Sequence, residues 1–374
     1  MSEYDDHGTD EGTSIFSTVS PKSAPGKRKA EPDKSWFGRH RALVALLMIG
    51  TVLLASCGGW AVYLNNQISG VDRFAIDLDE DKRPERATGE AAKAVNILMA
   101  GADAGPGPSI AEMVASGEWE PYSHRSDTIM VLHVTADREH AYLISVPRDS
   151  YVDIEGVGKS KINAAFATGG PSLYLQTMED LTGLRMDHLA IIDWDGFKDL
   201  TTALGGVEVF IPETIEDTSQ GVTWDAGKHR LEGKNALQYV RTRYGLANGD
   251  FDRIKRQQNF LRATMGQLLS QGTMSNPIKL TNSLEAITSN LTVDDDFTDS
   301  QIRSLALSLR GMSTKDVTFI TIPTECCPTI DGQSTVRVKK QQTKELFQAV
   351  SQDSIEVYLE EHSADLLGDE KSVS

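Results

Sequence analysis

In the stretch QYVRTRYGLANGDFDRIKRQQ (238–258), Arg241, Arg243, Arg253, Lys255 and Arg256 crowd together in a chain whose formal net charge is −17. A further arginine, Arg148, stands with Asp149 directly after the apolar run AYLISVP (141–147). Guanidinium groups at such density suit a phosphate or diphosphate, because the planar fork pairs bidentately with oxyanions and keeps its charge at any physiological pH. Asp103 follows NILMAG in a glycine-rich loop, and Arg125 and Asp127 precede TIMVLHV. Two carboxylates beside a bound phosphate are hard oxygen ligands of the kind Mg²⁺ takes while sharing its coordination with phosphate oxygens and water. Lys161 and Asn163, in KINAAFATGG, add a cation and an amide nearby in sequence.

Each position also has an ordinary structural reading. Asp103 and Asp127 could serve turns or caps, where Asp makes local hydrogen bonds. Arg253, Lys255 and Arg256 could pair with Asp250 and Asp252 as a solvated cluster. Cations massed in the first turn of a helix are locally unfavourable, and that conflict favours a bound anion.

The elements that must position these residues alternate in type. The runs 94–101, 128–135, 141–147, 188–194, 206–212 and 317–323 have strand length and β-branched enrichment. Helical patterns lie near 171–183, 195–204, 233–241, 254–271, 276–289, 299–311 and 339–352. The expectation is an α/β domain over 93–362 with a central mixed β-sheet covered by helices on both faces. Charged residues at strand ends then fall in the crevice where such sheets bind ligands.

Composition narrows the chemistry. The acidic balance argues against general nucleic-acid binding, which needs an excess of Lys and Arg. Eight scattered histidines and three cysteines (Cys57, Cys326 and Cys327) give no zinc-type spacing. Adjacent Cys326 and Cys327 are compatible with a vicinal disulfide, though two free thiols or packing residues are the expectation. No Gly-x-Ser-x-Gly elbow occurs, and GADAGPGPS lacks the Lys and Ser/Thr of a phosphate-binding P-loop.

One segment addresses the compartment. Residues 42–64, ALVALLMIGTVLLASCGGWAVYL, carry no charge, which is long enough to cross about 30 Å of hydrocarbon. Seven Lys or Arg in 22–41 against three in 65–84 place the N-terminal side in the cytoplasm and the remainder outside. LASC (54–57) resembles a lipoprotein cleavage box, but a polar region of forty residues precedes it and the apolar run continues past it, so a retained single-pass anchor is expected. Residues 1–41 read as a disordered cytoplasmic tail, 65–92 as an extracytoplasmic linker, and 363–374 as a disordered C-terminal tail.

The ordered series NILMAGAD, RSDTIMVLHV, ISVPRDSYVDI, KINAAFATGG, GFKDLTTALGGVEV, LEGKNALQYVRTR and DFDRIKRQQNFL resembles the LytR-CpsA-Psr family of bacterial cell-wall enzymes. The resemblance implies transfer of a glycopolymer from a polyprenyl diphosphate carrier to a peptidoglycan hydroxyl, with a phosphodiester formed. It implies that Asp103 and Asp127 bind the metal, and that Arg148, Arg241, Arg243, Arg253 and Gln257 hold the diphosphate together with Arg125. Lys161, Asn163 and Asp250 would support them, and Arg148, Asp103 and Asp127 would carry the catalysis. A prenyl tunnel is expected along 171–204 and 254–271, lined by residues such as Leu175, Met178, Phe197, Phe260 and Leu261. Two departures stand out: Gly105 replaces an arginine common in the family, and Asp252 stands where glycine is frequent. A diphosphatase that hydrolyses the carrier and a non-catalytic binder of anionic polymer are the alternative readings.

Overall fold

The computed structural model describes residues 71–368, apart from 104–107, 118, 243–249, 271, 273–275 and 290. The expected cytoplasmic tail, the apolar stretch 42–64, Gly105 and Arg243 lie outside the described residues. Among the described residues no helix is long and apolar enough to cross a membrane.

In chain order the elements are β1 (Asp72–Phe74), β2 (Val95–Asp103), α1 (Ile110–Ser116), β3 (Arg125–Val134), β4 (Ala141–Ser145), β5 (Tyr151–Ile154), β6 (Gly158–Lys161), α2 (Asn163–Thr182), β7 (His188–Asp193), α3 (Trp194–Ala203), β8 (Val207–Ile211), β9 (Ile215–Asp217), β10 (Val222–Trp224), β11 (Gly227–Leu231), α4 (Gly233–Arg241), α5 (Asp250–Leu268), α6 (Pro277–Thr288), β12 (Leu291–Asp294), α7 (Asp299–Ser308), β13 (Val317–Thr321), β14 (Thr324–Ile330), β15 (Gln333–Val338), α8 (Lys340–Ser351) and α9 (Ile355–Glu361). Seven strands form one sheet in the order β1-β12-β7-β2-β3-β4-β13. It is mixed: β2 runs parallel to β7 and antiparallel to β3, β4 is antiparallel to β3, and β13 is parallel to β4. The C-terminal ends of β2, β4, β7 and β13 therefore share one end of the sheet with the start of β3.

Both faces are covered, as the unbroken apolar runs require. On one face Leu98, Val131 and Ile144 pack with Phe166, Tyr174 and Met178 of α2 and with Leu346 and Phe347 of α8. On the other, Met130, Leu143 and Phe319 pack with Leu261 and Met265 of α5, and Ile97, Ala190 and Val293 with Phe297. A smaller core gathers Val207, Val209 and Ile211 of β8 around Tyr239 of α4 and Phe260 of α5. Gln258 ties α5 to the sheet, its amide donating to Ser145 Oγ (2.8 Å), the Ile320 carbonyl (2.9 Å) and Thr321 Oγ1 (3.2 Å).

Helix α2 starts eight residues before its expected beginning. Gly169 and Gly170 leave helical geometry, Gly170 at φ +66°, so Pro171 begins a fresh segment and displaces no interior hydrogen bond. A β-carbon at Gly170 would also lie 3.1 Å from the Trp119 ring.

Several boundaries differ from expectation, each for a physical reason. Asp103, Arg125 and Asp127 lie within strands instead of in loops, because the β2–β3 ladder extends past the apolar residues to the pair Asp103–Arg125. Helix α5 begins at Asp250, so acids occupy its first turn and the conflict with the helix dipole is weaker than the sequence suggests. The supposed C-terminal tail docks in part, with Leu366 bridging to Ile320 and the Leu367 N–H donating to Phe319. Cys326 and Cys327 are joined as a vicinal disulfide, in place of the expected thiols, on an exposed part of β14.

The linker also needs correction from residue 71 onward. Val71 and Phe74 are buried, and β1 pairs with β12. Arg83 makes a two-pronged ion pair with buried Glu179 of α2, Nε to Oε2 at 2.9 Å and Nη2 to Oε1 at 2.7 Å. Burial works against the Arg83 charge, but Glu179 and Glu80 outweigh it and raise its pKa above the ordinary arginine value. Removing one member of a buried pair strands the other, so Arg83→Met should lower unfolding free energy by about 3 kcal/mol in urea titration; a loss under about 0.5 kcal/mol, usual for surface substitutions, would return the segment to linker status.

Candidate active site

At the shared end of the sheet, Asp103, Arg125, Asp127 and Arg148 line one cleft of about 370 Å³ with Tyr122 and Ser123. The strands account for their convergence. Asp103 ends β2 directly opposite Arg125 on β3, so their side chains share a face. The register shifts between Gly101 and Ala102: Gly101 pairs with Thr128 and Ala102 with Ser126, which leaves Asp127 as an inserted residue. Such a bulge re-aims a side chain that strand alternation would otherwise fix. Gly101 is needed there, since a β-carbon would lie 3.0 Å from Thr128 Cβ.

Arg148 follows β4, and its Nη1 donates to Asp127 Oδ1 in a close ion pair. Its side chain is only 15% exposed and that of Asp127 20%, so the pair is partly withdrawn from water. The turn carrying Arg148 is held from behind. Asn163 N–H donates to the Arg148 carbonyl at 3.2 Å, and Ile162 N–H to that of Ser150 at 2.8 Å. Lys161 Nζ pairs with Asp149 Oδ1 at 2.9 Å. Lys161 and Asn163 thus brace the turn.

The second arginine group comes from α4 and α5. Arg241 ends α4, is exposed, and lays its guanidinium 5.1 Å from the Trp194 ring centroid. Trp194 directly follows Asp193, the last residue of β7, which pairs in register with Ala102 beside Asp103. The intervening Thr242 is fully buried. Its hydroxyl donates to the Gln238 carbonyl at 3.0 Å and accepts from Trp224 Nε1 at 3.1 Å and Gln220 Nε2 at 3.2 Å, while Arg256 Nη1 donates to its carbonyl at 3.2 Å. In the Arg-Thr-Arg motif the central residue is therefore the anchor that presents Arg241 outward. Arg256 lies over the Tyr239 ring at 5.1 Å. Burial lowers its pKa from the usual arginine value, opposed by Tyr239, Asp252 and Asp217.

Of the remaining expected contacts, Gln257 directs its amide to the Val240 carbonyl at 3.3 Å, and Arg253 is buried on α5. Both belong to α5, and neither they nor Arg241 of α4 are among the residues lining the cleft. Asp250 opens α5, and its side chain lies outside the described residues, as does all of Arg243. Asp252, the departure from the family pattern, is buried 3.7 Å from Lys255 Nζ. Sequence reasoning missed Tyr122, Trp194 and the structural roles of Thr242 and Arg256. Trp194 at the end of an apolar strand was the one available signal.

Asp103 and Asp127 offer two carboxylates in an open cleft, and among the described residues no cluster of three or more His, Cys, Asp or Glu suited to a metal is found. That donor set fits Mg²⁺, which keeps several waters and accepts one or two carboxylates plus phosphate oxygens, and does not fit a closed zinc site.

The profile of the LytR_cpsA_psr family matches residues 62–352. The cell wall biosynthesis protein LcpA of Corynebacterium glutamicum is 32% identical over 344 residues, covering 82% of this chain and 64% of LcpA. The polyisoprenyl-teichoic acid–peptidoglycan teichoic acid transferase TagU of Enterococcus faecalis is 36% identical over 188 residues, 50% of this chain and 60% of TagU. The chain thus spans less than two thirds of the length of these relatives. A LytR-Csp2A-Psr enzyme from Actinomyces oris shares the fold, with a TM-score of 0.58 at 22% identity, covering 75% of this chain and 96% of that one.

Thr242→Val keeps the volume of the anchor but deprives the buried Trp224 Nε1 of its acceptor, while Gln220 keeps Asp217 and the Gln238 carbonyl. Stability should fall by about 1–3 kcal/mol in chemical denaturation, the cost of buried donors left unpaired, and affinity for inorganic pyrophosphate, measured by calorimetry, should fall with it as Arg241 loses its position. Unchanged values for both would remove Thr242 as the anchor.

Proposed function

The chain belongs to the LytR-CpsA-Psr family, and on that premise we propose that it transfers a glycopolymer from a polyprenyl diphosphate carrier to peptidoglycan, joining the two by a phosphodiester. The observation that carries this reading is the cleft in which Arg125 and Arg148 meet Asp103 and Asp127 at the end of the sheet. A site with two cations and two hard carboxylates suits a diphosphate better than a neutral ligand.

In the proposed step a peptidoglycan hydroxyl attacks the phosphorus next to the sugar. Its new O–P bond forms as the bond to the bridging oxygen breaks, and prenyl phosphate leaves with the electron pair. Arg148 and Arg125 neutralise charge on the transferring and leaving oxygens, and the rigid strand ends hold the reactants in line. Asp103 or Asp127 takes the hydroxyl proton, at a carboxylate oxygen engaged neither with Arg148 nor with a metal. Mg²⁺ held by Asp103 and Asp127 would neutralise further charge on the leaving phosphate.

The prenyl chain requires an apolar wall. The expected lining from α2 fails, since Leu175 and Met178 are fully packed in the main core on the opposite face from α5. Partly buried Met99 and Leu132, at the middle of β2 and β3, face Leu261 and Met265 of α5 and Leu305 of α7. That row of incompletely covered apolar side chains is the proposed path. Placement outside the cell rests on the apolar stretch 42–64 and its flanking cations, and the Cys326–Cys327 disulfide is consistent with an oxidising compartment.

With lipid-linked glycan and peptidoglycan supplied together, Arg148→Ala should reduce wall-bound product by at least about a hundredfold, the scale of losing one charge-stabilising contact in the transition state, while circular dichroism shows the variant still folded at the assay temperature. Free glycan released in place of wall-bound product by the unsubstituted protein would make it a diphosphatase. Asp103→Asn combined with Asp127→Asn should abolish binding of Mn²⁺, standing in for Mg²⁺ and followed by electron paramagnetic resonance; binding equal to that of the unsubstituted protein would discard these carboxylates as its ligands.

A further inference from the structure

One residue in the cleft has no part in handling phosphate. Tyr122 lines it beside Asp103, Arg125 and Arg148, yet is 62% exposed. Its backbone sits at φ +69°, the left-handed region that a bulky side chain rarely adopts and that glycine or asparagine would occupy at less cost. Strain of this kind persists where the surroundings impose it, and here they do. The Tyr122 N–H donates to the Ala167 carbonyl at 2.7 Å. Three residues earlier, the Trp119 ring packs edge-on against Phe166 of α2, with centroids 5.3 Å apart, and against the kink at Gly170. The segment from Trp119 to Tyr122 is thereby pinned to α2 at both ends. Tyr122 is thus held at the cleft by its backbone, and its side chain is largely open to solvent.

From this placement we infer that Tyr122 is a stacking platform for the pyranose joined directly to the diphosphate, and so a specificity-determining residue of the site. A pyranose has one face lined by C–H groups that carry partial positive charge, and the face of an aromatic ring is electron-rich. A tyrosine lining the cleft beside Arg125 and Arg148 is in reach of both groups joined to a bound diphosphate, the first isoprene and the first sugar, and its exposure to water suits the polar sugar better than the apolar isoprene.

The inference rests on the diphosphate reading of Arg148, and the test separates the two. Calorimetry on the protein in detergent would compare farnesyl diphosphate with farnesyl diphosphate carrying one N-acetylglucosamine, and the readout is the ratio of their dissociation constants. The unsubstituted protein should favour the sugar-bearing ligand by up to about tenfold, the range of one aromatic stacking contact. Tyr122→Asn should bring the ratio close to one while its melting temperature holds or rises, because asparagine tolerates the left-handed backbone. Tyr122→Phe should keep the ratio, since stacking does not use the hydroxyl. A ratio unchanged in Tyr122→Asn, or a sharp fall in its melting temperature, overturns the platform and leaves the diphosphate site standing. Binding of neither ligand, or binding indifferent to Arg148→Ala, takes down both.

Discussion

A guanidinium drawn partly out of water must be met by negative charge, and the arrangement around Arg148 follows from that requirement. Asp127 meets it from the neighbouring strand, Asp149 lies beside it, and Lys161 balances Asp149. The ion pair joins the turn after β4 to the bulge in β3, so the charges sit at the ends of paired strands. A ligand with two phosphates offers Arg148 a second partner without disturbing the strands beneath.

The rest of the fold keeps that end of the sheet in place. The parallel pairings of β7 with β2 and of β13 with β4 bring four strand ends together with the start of β3. Helix α2 braces the Arg148 turn through Asn163 and holds the Tyr122 segment through Ala167 and Gly170. Helix α5 is tied to the sheet by Gln258 and to α4 by Gln257 and Arg256, which fixes the end of α4 that carries Arg241. Positioning is thus shared among elements that are distant in sequence and adjacent in space.

Much of this was legible before any coordinates. Five of the six apolar runs gave β2, β3, β4, β7 and β13 of the main sheet, because burial on both faces leaves continuous hydrophobic sequence, whereas the run 206–212 became β8 of a separate two-stranded sheet with β11. The strands β1, β5, β6, β9, β10, β11, β12, β14 and β15 were not seen, β1 and β12 of the main sheet among them, since three to seven residues of mixed exposure carry little periodicity to read. Asp103, Arg125, Asp127 and Arg148 were singled out by their types at strand ends, and they share a cleft. The bulge that turns Asp127 toward Arg148 was not readable, being a property of how two strands pair and not of either alone. Thr242 and Tyr122 escaped for a similar reason: a buried hydroxyl network and a positive φ depend on neighbours that the sequence does not place. The stretch before residue 93 misled because its acidic, proline-containing composition resembles a linker, while Arg83 and Phe74 tie it into the domain.

The central claim is that the arginines at this end of the sheet hold one lipid-borne diphosphate. A crystal structure of the protein with farnesyl diphosphate and Mg²⁺ tests it most directly. The account predicts phosphate oxygens within hydrogen-bonding distance of the Arg148 guanidinium, with Arg125 and Arg241 turned toward the same group. A diphosphate bound elsewhere, while Arg148 stays paired only with Asp127 and Asp149, would contradict it.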